Sequence, residues 1–409
     1  MAKRDRYIIG LDIGTSKVCI LVCELRDDGV LSVLGWASAP TGGGFDRGKV
    51  SAMDPVIEAI KKVVNEAELM SNVVIDKVFA SVGGTQVIGL NSRGVITVSS
   101  QCRRVTRDDI NRVLEASKGI TIPANNSILH VIPQQFIVDD QAGIVDPIGM
   151  LCRKLEVNSH IVACNNIALG NIIECINRAG IAKVIPVLEQ LADSMAVLQE
   201  DEKSLGVAVV DLGAGTSSLA VFDASSLWHS YSWPIGGINF TSDIAIGIRT
   251  SVEEAERIKK KYASASPTFY VEEETIEVHM VGGSGRRVLS KQIVNEIVKP
   301  RAEQIFLLIK DELKRVDLLE YLTAGIVLTG GGAMLEGLVD NAQAIFELNI
   351  RIGKPMGIEG LNNEIDDPAF ATVIGLVKYG AESIKLQEKY EIDKSLLRRL
   401  IDGVKLIFK

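Results

Sequence analysis

An apolar strand that runs into an Asp, a Gly and a Gly-Thr turn occurs twice in this chain, about two hundred residues apart. The first copy is Tyr7-Ile8-Ile9-Gly10-Leu11-Asp12-Ile13-Gly14-Thr15-Ser16-Lys17, and the second is Val207-Ala208-Val209-Val210-Asp211-Leu212-Gly213-Ala214-Gly215-Thr216-Ser217. A third glycine turn, Thr329-Gly330-Gly331-Gly332-Ala333, follows another strand-like run, Ile326-Val327-Leu328. Glycine lets the backbone approach a phosphate closely, and the amides of a tight turn point inward toward an anion. Two such turns face to face would clamp a polyphosphate. Asp12 and Asp211, each at a strand end, would hold water on a metal ion.

The 409 residues suffice for two or three domains with real cores. A net charge of -8 creates no basic field, and aromatic residues make up only 5%, which together argue against a nucleic-acid partner. No apolar run reaches the length that spans a bilayer. The basic start, Met1 to Arg6, leads straight into the first glycine strand, so a cleaved signal would remove the site; a cytoplasmic protein is expected. Six cysteines at 19, 23, 102, 152, 164 and 175 lie in apolar stretches with no CxxC pair and read as reduced, mostly buried thiols. Cys19 and Cys23 share one face of a predicted strand. Four histidines, none near another in the sequence, leave no zinc pattern.

Along the chain, Tyr7 to Trp36 reads as a strand meander that turns at Asp27-Asp28-Gly29. Met53 to Met70 reads as a helix with Val56, Ile57, Ile60, Val63, Val64 and Ala67 on one face, and Val73 to Val82 as a strand. An insertion follows over 85–162: a strand at Val95–Val98, a helix from Thr106 to Lys118 capped by Thr106, a strand from Ser127 to Val138 and another at His160–Cys164. Then come a helix at Asn166–Arg178, a strand at Lys183–Val187 and a helix at Leu188–Glu200. The second glycine strand opens another meander, through Leu219–Phe222 and Leu227–Trp233. Helices are predicted at Asn239–Ile246, Ser251–Tyr262 and Lys291–Val316, with a hairpin made of Tyr270–Glu272 and Thr275–Val281. Two halves that open alike indicate a duplication around a cleft.

In order and spacing these landmarks resemble the actin-like ATPase superfamily and, within it, the FtsA family, bacterial division proteins that tie FtsZ filaments to the membrane. The resemblance covers nearly the whole length. It is carried by GLDIGTSKV, VVDLGAGTSSLAVF and AGIVLTGGGAMLEGL, and more specifically by Ile128 to Asp139 (ILHVIPQQFIVD) with Asp146-Pro147-Ile148-Gly149-Met150 in the insertion. It implies an α/β, actin-like ATPase fold: two lobes of duplicated mixed-sheet domains, with an FtsA-type subdomain 1C in place of 1B. The divisions it implies are 1A at 1–84, 163–204 and, as a closing helix, 363–381; 1C at 85–162; 2A at 205–239 and 313–362; and 2B at 240–312. A linker at 382–394 and an amphipathic helix at 395–409 follow.

The resemblance further implies ATP and Mg2+ between the halves. Gly14, Thr15, Ser16 and Lys17 would cradle phosphates, Gly213, Gly215 and Thr216 would close from the other side, Gly237 would also bind the nucleotide, and Asp12 and Asp211 would order the metal through water. Gly330, Gly331, Gly332 and Met334 match the adenosine motif, while Glu256 and Lys259 match the helix that reaches ribose and adenine. Glu189 falls where related ATPases orient the attacking water, with Asp211 as its catalytic companion; a Glu opening a helix also simply stabilises the macrodipole. Gln190, Ala214 and Ser218 depart from the residues frequent at these positions, which bears on the hydrolysis rate.

The tail makes a separate physical case. Leu396, Leu397, Leu400, Ile401, Val404, Ile407 and Phe408 fall on one helical face. Lys394, Arg398, Arg399, Lys405 and Lys409 against Asp402 leave a net charge of +4 over 394–409. A helix of about 20 Å is too short to cross a bilayer and suits an anionic inner-membrane surface, with single copies holding weakly and an array strongly. Docking on the chain's own core and recognition by a peptide-binding partner are the alternatives.

For FtsZ, the family uses the smaller subdomain of the second half, where Arg286, Arg287, Lys291, Lys299 and Arg301 suit a C-terminal peptide with acidic groups. Self-assembly into filaments and contacts with other division proteins complete the expected partners. The competing readings on the same scaffold are a sugar-type kinase, for which no catalytic Asp beside a polar pocket is evident, and an actin-like protein of pilus assembly.

Overall fold

The computed structural model describes residues 6–98, 104–266, 274–280, 285–361 and 364–390, the last five as backbone alone. Strands β1 (Tyr7–Ile13), β2 (Lys17–Leu25) and β3 (Leu31–Pro40) form the first meander. Its two faces feed separate cores, because strand side chains alternate. Ile9, Leu11, Ile13, Val18, Ile20 and Val22 enter one core, and Ile8, Cys19, Leu21 and Cys23 enter the other. The expectation that Cys19 and Cys23 share a face holds. Among the described residues Cys152, Cys164 and Cys175 are likewise free and buried, and Cys102 lies outside them.

A two-residue ladder of β4 (Phe45–Asp46) and β5 (Lys49–Val50) leads into α1 (Met53–Ser71). The apolar face anticipated for α1 is buried, and Asn72 ends the helix in the left-handed region at φ 53°. Strand β6 (Lys77–Val82) then runs parallel to β1. It starts at Lys77 rather than Val73.

The insertion folds on its own core. Strands β7 (Val87–Thr97), β8 (Asn126–Val138), β9 (Gln141–Ile144) and β10 (Lys154–Asn165) pair in the order β7-β10-β8-β9, with helix α2 (Arg107–Ser117) packed against β7 and β10. Strand β7 begins eight residues earlier than the strand read at Val95. Thr106 and Asp109 form the capping box that starts α2, and Val113, Phe136, Leu155 and Val157 fill the space beneath it.

The chain returns through α3 (Asn166–Arg178), β11 (Lys183–Leu188), α4 (Glu189–Val197) and α5 (Glu200–Leu205), then repeats its opening with β12 (Val207–Leu212), β13 (Ser217–Asp223) and β14 (Ser226–Trp233). Helices α6 (Gly237–Ile248) and α7 (Val252–Tyr262), strands β15 (Thr275–His279) and β16 (Arg286–Ser290), and the long helix α8 (Lys291–Arg315) follow. Strand β17 (Gly325–Thr329), α9 (Leu338–Phe346), β18 (Ile350–Ile352) and α10 (Ala371–Tyr390) complete the described chain. The hairpin differs from its sequence reading: Thr275–His279 pairs with Arg286–Ser290 downstream, and Tyr270–Glu272 lie outside the described residues.

The duplication is explicit in the sheets. One has the order β11-β6-β1-β2-β3, the other β18-β17-β12-β13-β14. Asp12 sits opposite Cys19 and Asp211 opposite Ser218, at corresponding rungs of the two antiparallel ladders. Helices α4 and α10 pack against each other and contact strands of the first sheet, and α4 reaches the second as well. A shared apolar cluster there joins Ile8, Leu188, Ala192, Val209, Val327 and Ile374. Both Asp-bearing strands therefore end beside the N-terminus of α4.

Candidate functional site

The two glycine turns have the same internal geometry. Gly14 N–H donates to the carbonyl of Lys17 at 2.9 Å, and Gly213 N–H donates to that of Thr216 at 2.9 Å. They also meet. A Cβ built on Gly215 would lie 2.5 Å from Thr15 Oγ1, so the turn of the second half fits against the first only because residue 215 has no side chain. Thr41 braces the first turn by donating from Oγ1 to Gly14 O at 2.8 Å, and Ser16 is exposed at its tip.

Gly236 and Gly237 press against the second turn, with Gly237 N–H donating to Gly213 O at 2.9 Å. From there the wall continues into α7. Lys259 Nζ donates to Gly237 O at 3.0 Å and to Thr241 Oγ1 at 2.9 Å, and pairs with Glu256 at 2.6 Å. The third glycine turn closes on Asp211. Gly330, at φ 81°, would carry a Cβ 1.9 Å from Asp211 Oδ1, and one on Gly332 would meet Leu212 O at 2.6 Å. Gly331 and Met334 are exposed on this turn. The structure thus links the glycine turns, both aspartates, Glu256 and Lys259 into one contiguous group.

Lys17 is placed differently from the phosphate-directed role expected of it. Its Nζ lies 3.3 Å from the ring centroid of Phe370, a cation–π contact. Burial lowers its pKa, while Cys19, Asp12 and Asp367 oppose the shift.

Carboxyls crowd the base of the cleft. Ser81 Oγ donates to Asp12 Oδ1 at 2.7 Å and accepts from Ile13 N–H at 3.2 Å. Burial pushes the Asp12 pKa up. Burial also lifts Asp211 to about 6. Glu189, which opens α4, is held well above the ordinary carboxylate range by burial first and then by Asp211, Asp193 and Asp12; it is hydrogen-bonded to Asp211. Like charges this close cannot all ionise, so the Glu189–Asp211 pair shares a proton.

Asp193 was not singled out from the sequence. It is 1% exposed, accepts from Thr372 Oγ1 at 2.7 Å, and burial with Asp211 nearby raises its pKa strongly. Glu189, Asp193 and Asp211 each bring an oxygen within 4.8 Å of the others. Its signal in the sequence was positional: Asp193 stands four residues after Glu189, on the same helical face.

Gln190 and Ser218, which depart from the frequent residues, are both buried. Gln190 Nε2 donates to Ser232 Oγ at 2.9 Å, so this residue bonds α4 to the edge strand of the second sheet. The insertion reaches the same helix, where His130 Nε2 accepts from Leu188 N–H at 3.0 Å. His160 and His229, distant in sequence, bring their ring centroids to 6.5 Å at the junction of insertion and second half. Among the described residues, the side chains grouped closely enough for a metal ion are Glu189, Asp193 and Asp211.

The basic residues of the second half are mostly engaged. Arg301 grips Asp243 through two bonds of 2.6 and 2.8 Å, Lys291 pairs with Glu274 at 3.0 Å and Arg286 with Glu277 at 3.2 Å. Arg287 is exposed on β16. Leu396 through Phe408, including Arg398, Arg399 and Lys405, lie outside the described residues.

Comparison with known proteins decides among the scaffold's readings. The family described as "Cell division protein FtsA" matches residues 208–375, and "SHS2 domain inserted in FTSA" matches 84–163. Cell division protein FtsA of Pseudomonas aeruginosa is 39% identical over 377 residues, covering 92% of this chain and 90% of that protein. FtsA of Bacillus subtilis is 35% identical and covers 94% and 85%.

The chain belongs to the FtsA family.

Solved structures agree on the actin-like fold. The chain is similar to the PilM-PilN type IV pilus biogenesis complex, with a TM-score of 0.65 at 17% identity over 91% of this chain and 98% of that one. It is also similar to MreB5 of Spiroplasma citri, with a TM-score of 0.58 at 16% identity over 94% and 99%. Family membership identifies an actin-like cell-division protein, and the FtsA relatives match over nearly their whole length, which favours neither a kinase nor a pilus protein. No helix among the described residues is long and apolar enough to cross a membrane.

Proposed function

We propose that this FtsA-family chain binds ATP with Mg2+ between its lobes, polymerises on the inner face of the cytoplasmic membrane, anchors FtsZ filaments there and helps recruit later division proteins. The observation that carries the nucleotide reading is the contact of Thr15 with Gly215, which sets two matched turns from the two halves against each other. Two glycine turns meeting from opposite halves would offer backbone amides to a polyphosphate. The donors beneath them are carboxylate oxygens, the ligand type that a hard cation such as Mg2+ prefers.

In this reading Gly14, Thr15, Ser16, Gly213, Gly215 and Thr216 hold the phosphates. Lys17 leaves Phe370 to add charge, and Gly330, Gly331, Gly332, Met334, Gly237, Glu256 and Lys259 line the nucleoside side. Asp12 and Asp211 would hold the metal through water, where it would supply positive charge to the phosphates. Glu189, sharing a proton with Asp211, is poised to orient or deprotonate a water. Hydrolysis is slow, because Gln190 ties α4 to the second half and restrains the closure that would assemble the site.

Attachment to anionic lipid is assigned to residues 395–409, and the FtsZ peptide to the 2B surface bearing Arg286, Arg287, Lys291 and Arg301. Electron microscopy on anionic lipid monolayers with ATP tests the whole reading. Ordered filaments that recruit FtsZ and vanish when 395–409 are removed are expected; filaments undiminished by the truncation would refute the anchor.

A further inference from the structure

The cleft holds one carboxylate more than its expected chemistry uses. Asp193 is 1% exposed, and its Oδ1 takes the Thr372 hydroxyl at 2.7 Å. Its Oδ2 has no hydrogen-bond partner. A buried carboxylate oxygen left bare is costly unless something positive meets it. Oxygens bound to one ion at about 2.0–2.6 Å lie no more than roughly 4–5 Å apart. The oxygens of Glu189, Asp193 and Asp211 already meet that condition, lying within 4.8 Å of one another.

Their placement is fixed by regular structure. Glu189 and Asp193 project from one face of α4, and Asp211 comes from β12. Around them, Ser81 serves Asp12, Thr372 serves Asp193, and Lys17 is drawn to Phe370. A bound cation would give the bare oxygen a partner.

We propose that Glu189, Asp193 and Asp211 form a site that ligates a divalent cation directly, before any nucleotide arrives. The donor chemistry selects a hard ion, Mg2+ or Mn2+. This site differs from the water-mediated, nucleotide-bound metal of the preceding section, because its distinguishing ligand is Asp193 and it needs no phosphate. Bound there, the ion would replace the proton shared by Glu189 and Asp211 and prepare the cleft for a polyanion.

The test uses the nucleotide-free full chain and Mn2+ alone, with free Mn2+ read by electron paramagnetic resonance near neutral pH. One Mn2+ per chain, displaced by Mg2+ and bound at least tenfold more weakly by Asp193→Asn, is the expected result. Asp193→Ser repeats the comparison if the Asn variant does not fold, as judged by circular dichroism. Absence of Mn2+ uptake by the unaltered chain overturns the proposal, as does undiminished uptake by a folded Asp193 variant. Because no nucleotide is present, either failure leaves the ATP reading standing, and failure of ATP binding leaves this site untouched.

Discussion

Thr15 Oγ1 occupies the space where a side chain on Gly215 would begin, at 2.5 Å from a Cβ built there, so the two halves of the molecule touch through their glycine turns. Gly215→Ala must push the turns apart or displace Thr15. Overpacking of this kind costs about 1–3 kcal/mol. Because the strain falls on the cleft, affinity for a fluorescent ATP analogue is expected to drop roughly five- to a hundredfold, with little change in secondary structure by circular dichroism. Unchanged affinity would mean that nucleotide does not need the turns in contact.

Glu189 shares a proton with Asp211 at the start of α4. Loss of a positioned acid-base group typically costs about 10²- to 10⁴-fold in rate. Glu189→Gln is expected to reduce phosphate release by roughly a hundredfold or more while ATP binding persists, measured on the same preparation. If hydrolysis is unaffected, Glu189 is a helix-start residue only.

Acid pH loads the insertion's contacts. Burial holds His130 down to about 4, and burial with the neighbouring His229 holds His160 to about 3. Both are neutral in the folded chain, whereas an unfolded histidine protonates below about 6.5. The unfolded state therefore binds more protons as pH falls, and each residue removes about 2 kcal/mol of stability between pH 7 and pH 5. The raised carboxyls of the cleft act in the opposite direction. Comparison with His160→Gln isolates one histidine: chemical denaturation should show a pH dependence shallower by about 2 kcal/mol over that interval. Equal slopes would contradict a neutral, buried His160.

Two arginines of the second half should separate binding from stability. Arg301 bridges α6 and α8 through its paired bonds to Asp243, half-buried on both sides. Arg301→Ala is expected to destabilise by about 1–2 kcal/mol, seen as a lower unfolding midpoint. Arg287, exposed on β16, should leave the midpoint unchanged when replaced by Ala and weaken binding of the FtsZ C-terminal peptide several-fold, measured by fluorescence anisotropy.

Much of the fold was legible because periodicity and turn chemistry agreed. The repeated strand–Asp–Gly–Thr unit announced the twin sheets, the α1 stripe from Val56 to Ala67 announced a buried face, and Thr106 marked the start of α2. The hairpin differs from its sequence reading because β15 pairs downstream with β16, and alternation alone does not say which neighbour a strand takes. Strand β7 extended beyond its apolar stretch because Asn91, Ser92 and Arg93 ride on a ladder supplied by β10.

At the site, glycines were readable because their need is local, a turn or a close approach. Asp193, Ser81 and Phe370 were not, since their roles arise from packing between segments far apart in sequence. Lys17 shows the same limit: its charge was evident, and its position over Phe370 depended on a ring about 350 residues away.

Isothermal titration of the purified full chain with ATP across a range of Mg2+ concentrations tests the central claim most directly. One ATP per chain, with affinity that depends on Mg2+ and is weakened by Gly215→Ala, is predicted. No ATP uptake at any Mg2+ concentration would contradict a nucleotide held between the two turns.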